Sequence, residues 1–176
     1  MASSLNLILG ILTIIAQVAV VALVFSWLFG AKIPENIRVY AIAIAFAAAL
    51  IATLGSLTYS EILGYDPCKL CWIQRIFMYP QVLVLGLALW GKHKESKALL
   101  DTSLTMSIIG ALVALYHYLM QLGIVPEGSC AAVGYSVSCA QRFVMQFGYI
   151  TIPLMAFSAF LLIIVSLRLV RTTTAS

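Results

Sequence analysis

Residues 39–63 read VYAIAIAFAAALIATLGSLTYSEIL, and that stretch decides the fold class. It exceeds the ~20 apolar residues that a helix needs to cross a bilayer. Four further apolar runs flank it: Leu5 to Phe29, a run ending at Trp90, about Leu104 to Val125, and about Thr151 to Leu169. A membrane span must satisfy its own backbone hydrogen bonds, which leaves helices or closed barrels. The runs lack the period-2 alternation of barrel strands. The expectation is an all-α integral membrane protein with five spanning helices.

Composition agrees. Of 176 residues, 63% are hydrophobic and only 9% are charged, with 10 Lys+Arg and 6 Asp+Glu. A soluble fold of this size has too few polar residues to cover so much apolar surface. Soluble enzymes, disordered chains and nucleic-acid binders are thereby excluded. The first run has no Lys or Arg before it, is longer than a signal-peptide core and is followed by no small-x-small site. It reads as a retained helix.

Charge placement orients the chain. Lys32, Arg38, Lys92, Lys94, Lys97, Arg168 and Arg171 fall on one side if the chain crosses five times. Lys69, Arg75 and Arg142 fall on the other. The positive-inside rule puts the larger group in the cytoplasm. The N-terminus and the loops 64–70 and 126–149 then face outside. Topology accounts for the net charge of +4 without any nucleic-acid partner.

All four cysteines, Cys68, Cys71, Cys130 and Cys139, lie in or beside the two outward loops. Outside a bacterial inner membrane, disulfides persist. Three readings fit this placement: two structural staples, a four-thiolate zinc site, or a redox relay. The zinc reading is weakened because the second pair is C-x8-C rather than a second C-x-x-C.

The surroundings of the first pair favour reactivity. Ile76 to Trp90 is too short to span the ~30 Å core at 1.5 Å per residue, so the third helix must begin near the cysteines. Asp66 suits an N-cap and Pro67 the first helical position; a start at Trp72 is the alternative. Either places Cys71 where the positive end of the helix favours thiolate. Arg75 lies one turn deeper on the same face. An arginine inside an apolar segment is costly and marks a functional candidate: it can stabilise the Cys71 thiolate, bind a polar ligand such as a quinone carbonyl, or snorkel to head groups. Pro80 is expected to kink this helix near Ile76. His117, eight residues from the outer end of the fourth run, is either a proton relay or hydrogen-bond donor to a ligand, or a helix-to-helix bond. His93 sits among lysines and reads as solvated.

The second loop, PEGSCAAVGYSVSCAQRFVMQFGY at 126–149, is rich in Gly and Ser around its cysteines and suits an exposed, mobile pair. Residues 141–149 suggest a short helix on the membrane surface or an irregular lead-in to the fifth span.

The block GSLTYSEILGYDPCKLCWIQRIFMYP at 55–80 resembles the disulfide-bond formation protein B family (DsbB), in particular its BdbC-like branch. LYHYLMQ at 115–121 and FGYITIPLMAF at 147–157 resemble the third and fourth core helices of the same branch. The resemblance covers about residues 39–170. It implies a four-helix transmembrane bundle of DsbB type (39–176), preceded here by one additional N-terminal transmembrane helix and linker (1–38). It implies a protein dithiol:quinone oxidoreductase in the bacterial cytoplasmic (inner) membrane, which reoxidises an extracytoplasmic thioredoxin-fold dithiol oxidase (DsbA- or BdbD-like) and passes electrons to ubiquinone or menaquinone. On that resemblance Cys68 and Cys71 are the quinone-linked pair, with Cys71, Arg75 and His117 at the quinone site. Cys130 and Cys139 are the loop pair, and Cys130 meets the partner. No metal is implied. The rivals are a non-catalytic tetraspan-like protein with stapled loops and a soft-metal transporter. The additional helix and the short C-x8-C loop depart from the family pattern.

Overall fold

The computed structural model describes residues 2–29, 40–90, 96–127, 130 and 137–174, with side chains as far as 170. Among them are five helices long and apolar enough to cross a membrane: α1 (Ala2–Leu28), α2 (Ala41–Leu57), α3 (Lys69–Trp90), α4 (Lys97–Gln121) and α5 (Ile152–Thr174). A single π-helical turn, Thr58–Ile62, extends α2. The chain is an all-helical, multi-pass membrane protein, as the apolar runs require. Lys32, Arg38, Lys92, His93 and Lys94 lie outside the described residues, as do Gly128, Ser129, Gly134, Ser136 and the Arg171 side chain.

Helices α2, α3, α4 and α5 form a closed ring in which each packs on two neighbours, while α1 leans on α5 from outside. The outward faces are apolar, as lipid demands: Val18 is 63% exposed and Leu83 72%. The N-terminal end of α1 lies at the cysteine-bearing end, because Tyr59 donates to Asn6 Oδ1 there at 2.9 Å.

Lipid supplies no hydrophobic drive for helix pairing, so the interior relies on close packing and hydrogen bonds. Gln81 on α3 is fully buried and accepts from Ser103 and Ser107 on α4 at 2.8 and 2.9 Å. Nearer the middle, the Phe160 ring of α5 fills the space beside Gly110 of α4, where any Cβ would overlap it. Gly110→Ala should therefore cost about 1–3 kcal/mol by overpacking, read as a lower unfolding midpoint in detergent. An unchanged midpoint would show that the ring has room to move.

Two boundaries differ from the sequence expectation, and residues 141–149 take the irregular of the two expected forms, each for a local reason. Helix α3 begins at Lys69, between the two expected starts: Cys68 occupies the capping position, its sulfur accepting the Cys71 N–H at 3.4 Å. The helix runs on through Pro80. Helix α4 stops at Gln121, short of Val125. Gly123, at φ +77°, ends it in a Schellman turn, with Gly123 N–H bonded to Met120 O and Ile124 N–H to Leu119 O. Residues 141–149 form no helix. Phe147 and Gly148 are both left-handed (φ 52° and 79°), and the chain reverses there through paired bonds between Gln146 and Ile150.

Candidate functional site

One end of the ring gathers the cysteines. Cys130 and Cys139 form a disulfide, with Cα atoms 5.7 Å apart. Cys68 caps α3 and Cys71 lies in its first turn, their sulfurs 3.2 Å apart. The two pairs are adjacent: Cys68 Sγ, a ring nitrogen of His117 and Cys139 Sγ all lie within 4.8 Å of one another. The loop is pinned over α4 by Gln121, which donates to Gln141 O at 3.1 Å, and by Arg142, which donates to Gln121 O. The loop pair is not the exposed pair anticipated from composition. Cys139 is fully buried and Cys130 is 7% exposed, because the pinned loop presses the disulfide onto Cys68 and Met120.

His117 is the hub. It lies only one turn from the end of α4, because that helix stops early, so it is about 6 Å inside the helix end rather than deep in the bilayer. Gln74 Nε2 approaches Nδ1 at 2.9 Å. With Gln74 donating, the ring proton sits on Nε2 and points at Cys139 O, 3.0 Å away, with Cys68 Sγ at 3.7 Å. The imidazole thus joins the two cysteine pairs. Sequence reasoning passed over Gln74, although an amide three residues after Cys71 in an apolar run was a readable signal.

Cys68 collects the donors that stabilise a thiolate. The Cys71 thiol lies against it, His117 faces it, and the Cys71 backbone N–H points at it; together they outweigh burial and lower its pKa to about 4. The stabilisation expected for Cys71 from the helix terminus therefore falls on Cys68, because the helix starts one residue after Cys68. The sign is definite. The Cys68 thiolate persists down to about pH 4 and is lost as pH falls through that value, whereas in the unfolded chain it forms only near its ordinary value of 9.0. The fully reduced protein should lose stability steadily from pH 9 towards pH 4. Ultraviolet thiolate absorbance should show a transition near pH 4 that is missing in Cys68→Ser. A single transition near 9 would contradict this.

Cys71 lies between Cys68 and a chamber. It borders a cavity of ≈ 410 Å³ between α1, α2, α3 and α5, which also takes in Arg75 and Tyr79. Arg75 points across to α2 rather than to head groups: Nε donates to Ser56 Oγ at 3.1 Å and Nη2 to Ser56 O at 3.2 Å. Its guanidinium lies over the rings of Trp72 (5.2 Å) and Tyr79 (5.9 Å), and the Tyr79 hydroxyl donates to Ser56 Oγ at 3.1 Å. Nothing in the sequence singled out Ser56. At the cysteine-bearing end of the cavity, Tyr65 stacks between Tyr59 and Phe143, with centroids 5.8 and 5.1 Å away.

These sulfurs form a file: a loop disulfide, then Cys68 beneath it, then Cys71 facing an apolar chamber. Residues 36–170 match the family model described as Disulfide bond formation protein DsbB. The chain belongs to the DsbB family. It is 44% identical over 131 residues to the "Probable disulfide formation protein C" of Bacillus cereus, covering 74% of this chain and 91% of that protein. It is 42% identical over 140 residues to the "Disulfide bond formation protein C" of Bacillus subtilis, covering 76% and 94%. A "Probable disulfide formation protein" of Oceanobacillus iheyensis is 48% identical over 118 residues, covering 66% and 79%. No solved structure matches. This DsbB-family member is a membrane thiol–disulfide oxidoreductase with a role in disulfide bond formation.

Membership gives the cluster of Cys68, His117 and Cys139 its context. Three such atoms resemble part of a soft-metal site, but the Cys139 sulfur is engaged in the loop disulfide. The zinc reading needs four converging thiolates, and among the described residues Cys68, His117 and Cys139 are the set that converges.

Proposed function

We propose that the chain carries electrons from a thioredoxin-fold dithiol oxidase on the outer face of the bacterial cytoplasmic membrane to a membrane quinone. The observation that carries this reading is the adjacency of Cys139 and Cys68, with Cys71 opening onto the chamber beyond. On this reading the catalytic unit is 39–176, the helix at 1–38 is appended to it, and the cysteine end faces outward.

The steps are successive thiol–disulfide exchanges. A thiolate of the partner attacks Cys130, the less deeply buried of the loop pair, and releases Cys139 as thiolate. The partner's second thiol then resolves the mixed disulfide. Cys139 attacks Cys68 in the Cys68–Cys71 disulfide, displacing Cys71. Cys130 then attacks Cys139, restoring the loop disulfide and releasing Cys68. The partner dithiol has become a disulfide, and the Cys68–Cys71 disulfide has become a dithiol, so two electrons and two protons have moved inward. His117 stands where Cys139 meets Cys68, its Nε2 proton available to a thiolate forming on either.

The chamber fits a quinone: it is apolar, of ligand size, and carries Arg75 and the Tyr79 hydroxyl on the wall beside Cys71. A bound quinone would supply the terminal oxidant, taking the two electrons and two protons of the dithiol. Arg75 would hold a ring oxygen and Tyr65 and Phe143 would cover the outer end.

The test is oxidation of a reduced thioredoxin-fold dithiol by purified protein. Turnover should require added quinone and vanish in Cys71→Ser. Turnover that proceeds without quinone, or survives that substitution, overturns the proposal.

A further inference from the structure

The family match begins at residue 36, after α1, yet α1 supplies a wall of the chamber. Leu9, Leu12, Thr13, Ile15, Ala16 and Ala19 line it. Facing them are Ala48, Ala52 and Gly55 of α2 and Ala156 and Ala159 of α5. Small side chains on all three helices leave a slot where larger ones would close it.

The wall is fastened in register. Gln17 on α1 donates to Ser158 Oγ of α5 at 3.1 Å and accepts from the Tyr149 hydroxyl at 3.2 Å. Asn6 accepts from Tyr59. A Cβ at Gly55 would come within 3.2 Å of Leu9, and one at Gly10 within 3.0 Å of Gln146. Side-chain hydrogen bonds and close backbone approach are what hold helices together in lipid.

The slot is also long. On α2 its lining runs from Gly55 to Ile44, which at 1.5 Å per residue is about 16 Å. A redox ring beside Cys71 and Arg75 occupies only one end. The remainder is apolar and runs on along α2 towards its N-terminal end.

We propose that α1 completes a channel for the polyprenyl tail of the quinone, with the tail lying between Ala16 and Ala19 of α1 and Ala48 and Ala52 of α2. This rests on the quinone reading above and adds to it a substrate-binding role for the N-terminal helix. The geometry makes Ala16 a specificity-determining position: a large side chain there blocks the tail and leaves the ring end open.

The test uses the full chain and three probes that share one quinone ring: a long-tailed quinone, a tail-less one, and one with a diazirine in the tail. On photolysis the diazirine probe should label residues 9–19, and excess long-tailed quinone should suppress the labelling. Ala16→Trp should raise KM for the long-tailed quinone by roughly tenfold or more and leave the tail-less one unchanged. Val18→Trp, on the lipid face, should change neither. Suppressible labelling confined to other helices overturns the inference whatever Ala16→Trp does to folding. So does an Ala16→Trp enzyme that handles both quinones normally or loses both equally. In either case wild-type quinone turnover stands. If the wild-type protein reduces neither quinone and shows no suppressible labelling, the underlying quinone reading has failed instead.

Discussion

With Cys71 and Cys130 both replaced by serine, the remaining Cys68 and Cys139 are expected to close into a disulfide on mild oxidation. Their sulfurs already lie within 4.8 Å and need to approach to about 2 Å. The variant keeps two of the groups that favour the Cys68 thiolate, the attacking species: the His117 imidazole and the backbone N–H of residue 71. The complementary variant, Cys68→Ser with Cys139→Ser, leaves Cys71 facing the chamber and Cys130 in the loop, and should cross-link poorly. Peptide mass spectrometry under non-reducing conditions distinguishes the two. Each single cysteine-to-serine change should lower partner oxidation on the order of a thousandfold or more, since a broken relay has no alternative route. Equal cross-linking in both double variants, or turnover with any one cysteine missing, would defeat the proposed order of exchange.

Arg75→Met should have the next largest effect. It removes the only guanidinium lining the chamber among the described residues. A hydrogen bond to a charged group contributes about 1.5–3 kcal/mol, so KM for quinone should rise about 10- to 150-fold. The exchange half-reaction, measured as one round of partner oxidation by the oxidised protein without quinone, should be nearly unchanged, because the hydrogen bonds and ring contacts of Arg75 among the described residues go to Ser56, Trp72 and Tyr79 within α2 and α3. Arg75→Lys keeps the charge but loses the fork that reaches both Ser56 Oγ and Ser56 O, so it should fall between. The unfolding midpoint serves as control, since the guanidinium also ties α3 to α2. A slowed exchange step with normal quinone KM would move Arg75 from the chamber to the relay.

Much of the site was legible one residue at a time. Cys71 and Arg75 share a helical face by spacing alone, and the chamber indeed takes in both. His117 was visible as an imidazole in an apolar run, but its meaning was not: its partners are Gln74, 43 residues away, and Cys139 O, 22 residues away. The start of α3 was readable only to within a few residues, because the sequence allows a helix capped by Asp66 with Pro67 first, or one that starts at Trp72 after an Asp-Pro turn. Packing settled it by turning the Cys68 sulfur onto the Cys71 N–H. The loop misled in a different way. The Gly and Ser content suggested an exposed cysteine pair, but the Gln121–Gln141 and Arg142–Gln121 bonds hold Cys139 against the bundle, where it is buried.

By itself, then, the sequence determined the solvent, the secondary structure and the chemistry. Long apolar runs have one solution in lipid, because each span must satisfy its own backbone. Four cysteines at one end of those spans restrict the reactions available. Only the tertiary structure decided which sulfur meets which, which thiol carries the charge, and that α1 lines the chamber. Those outcomes depend on contacts between residues far apart in the chain, where a shift of a few ångströms separates neighbours from strangers and no local pattern records the distance.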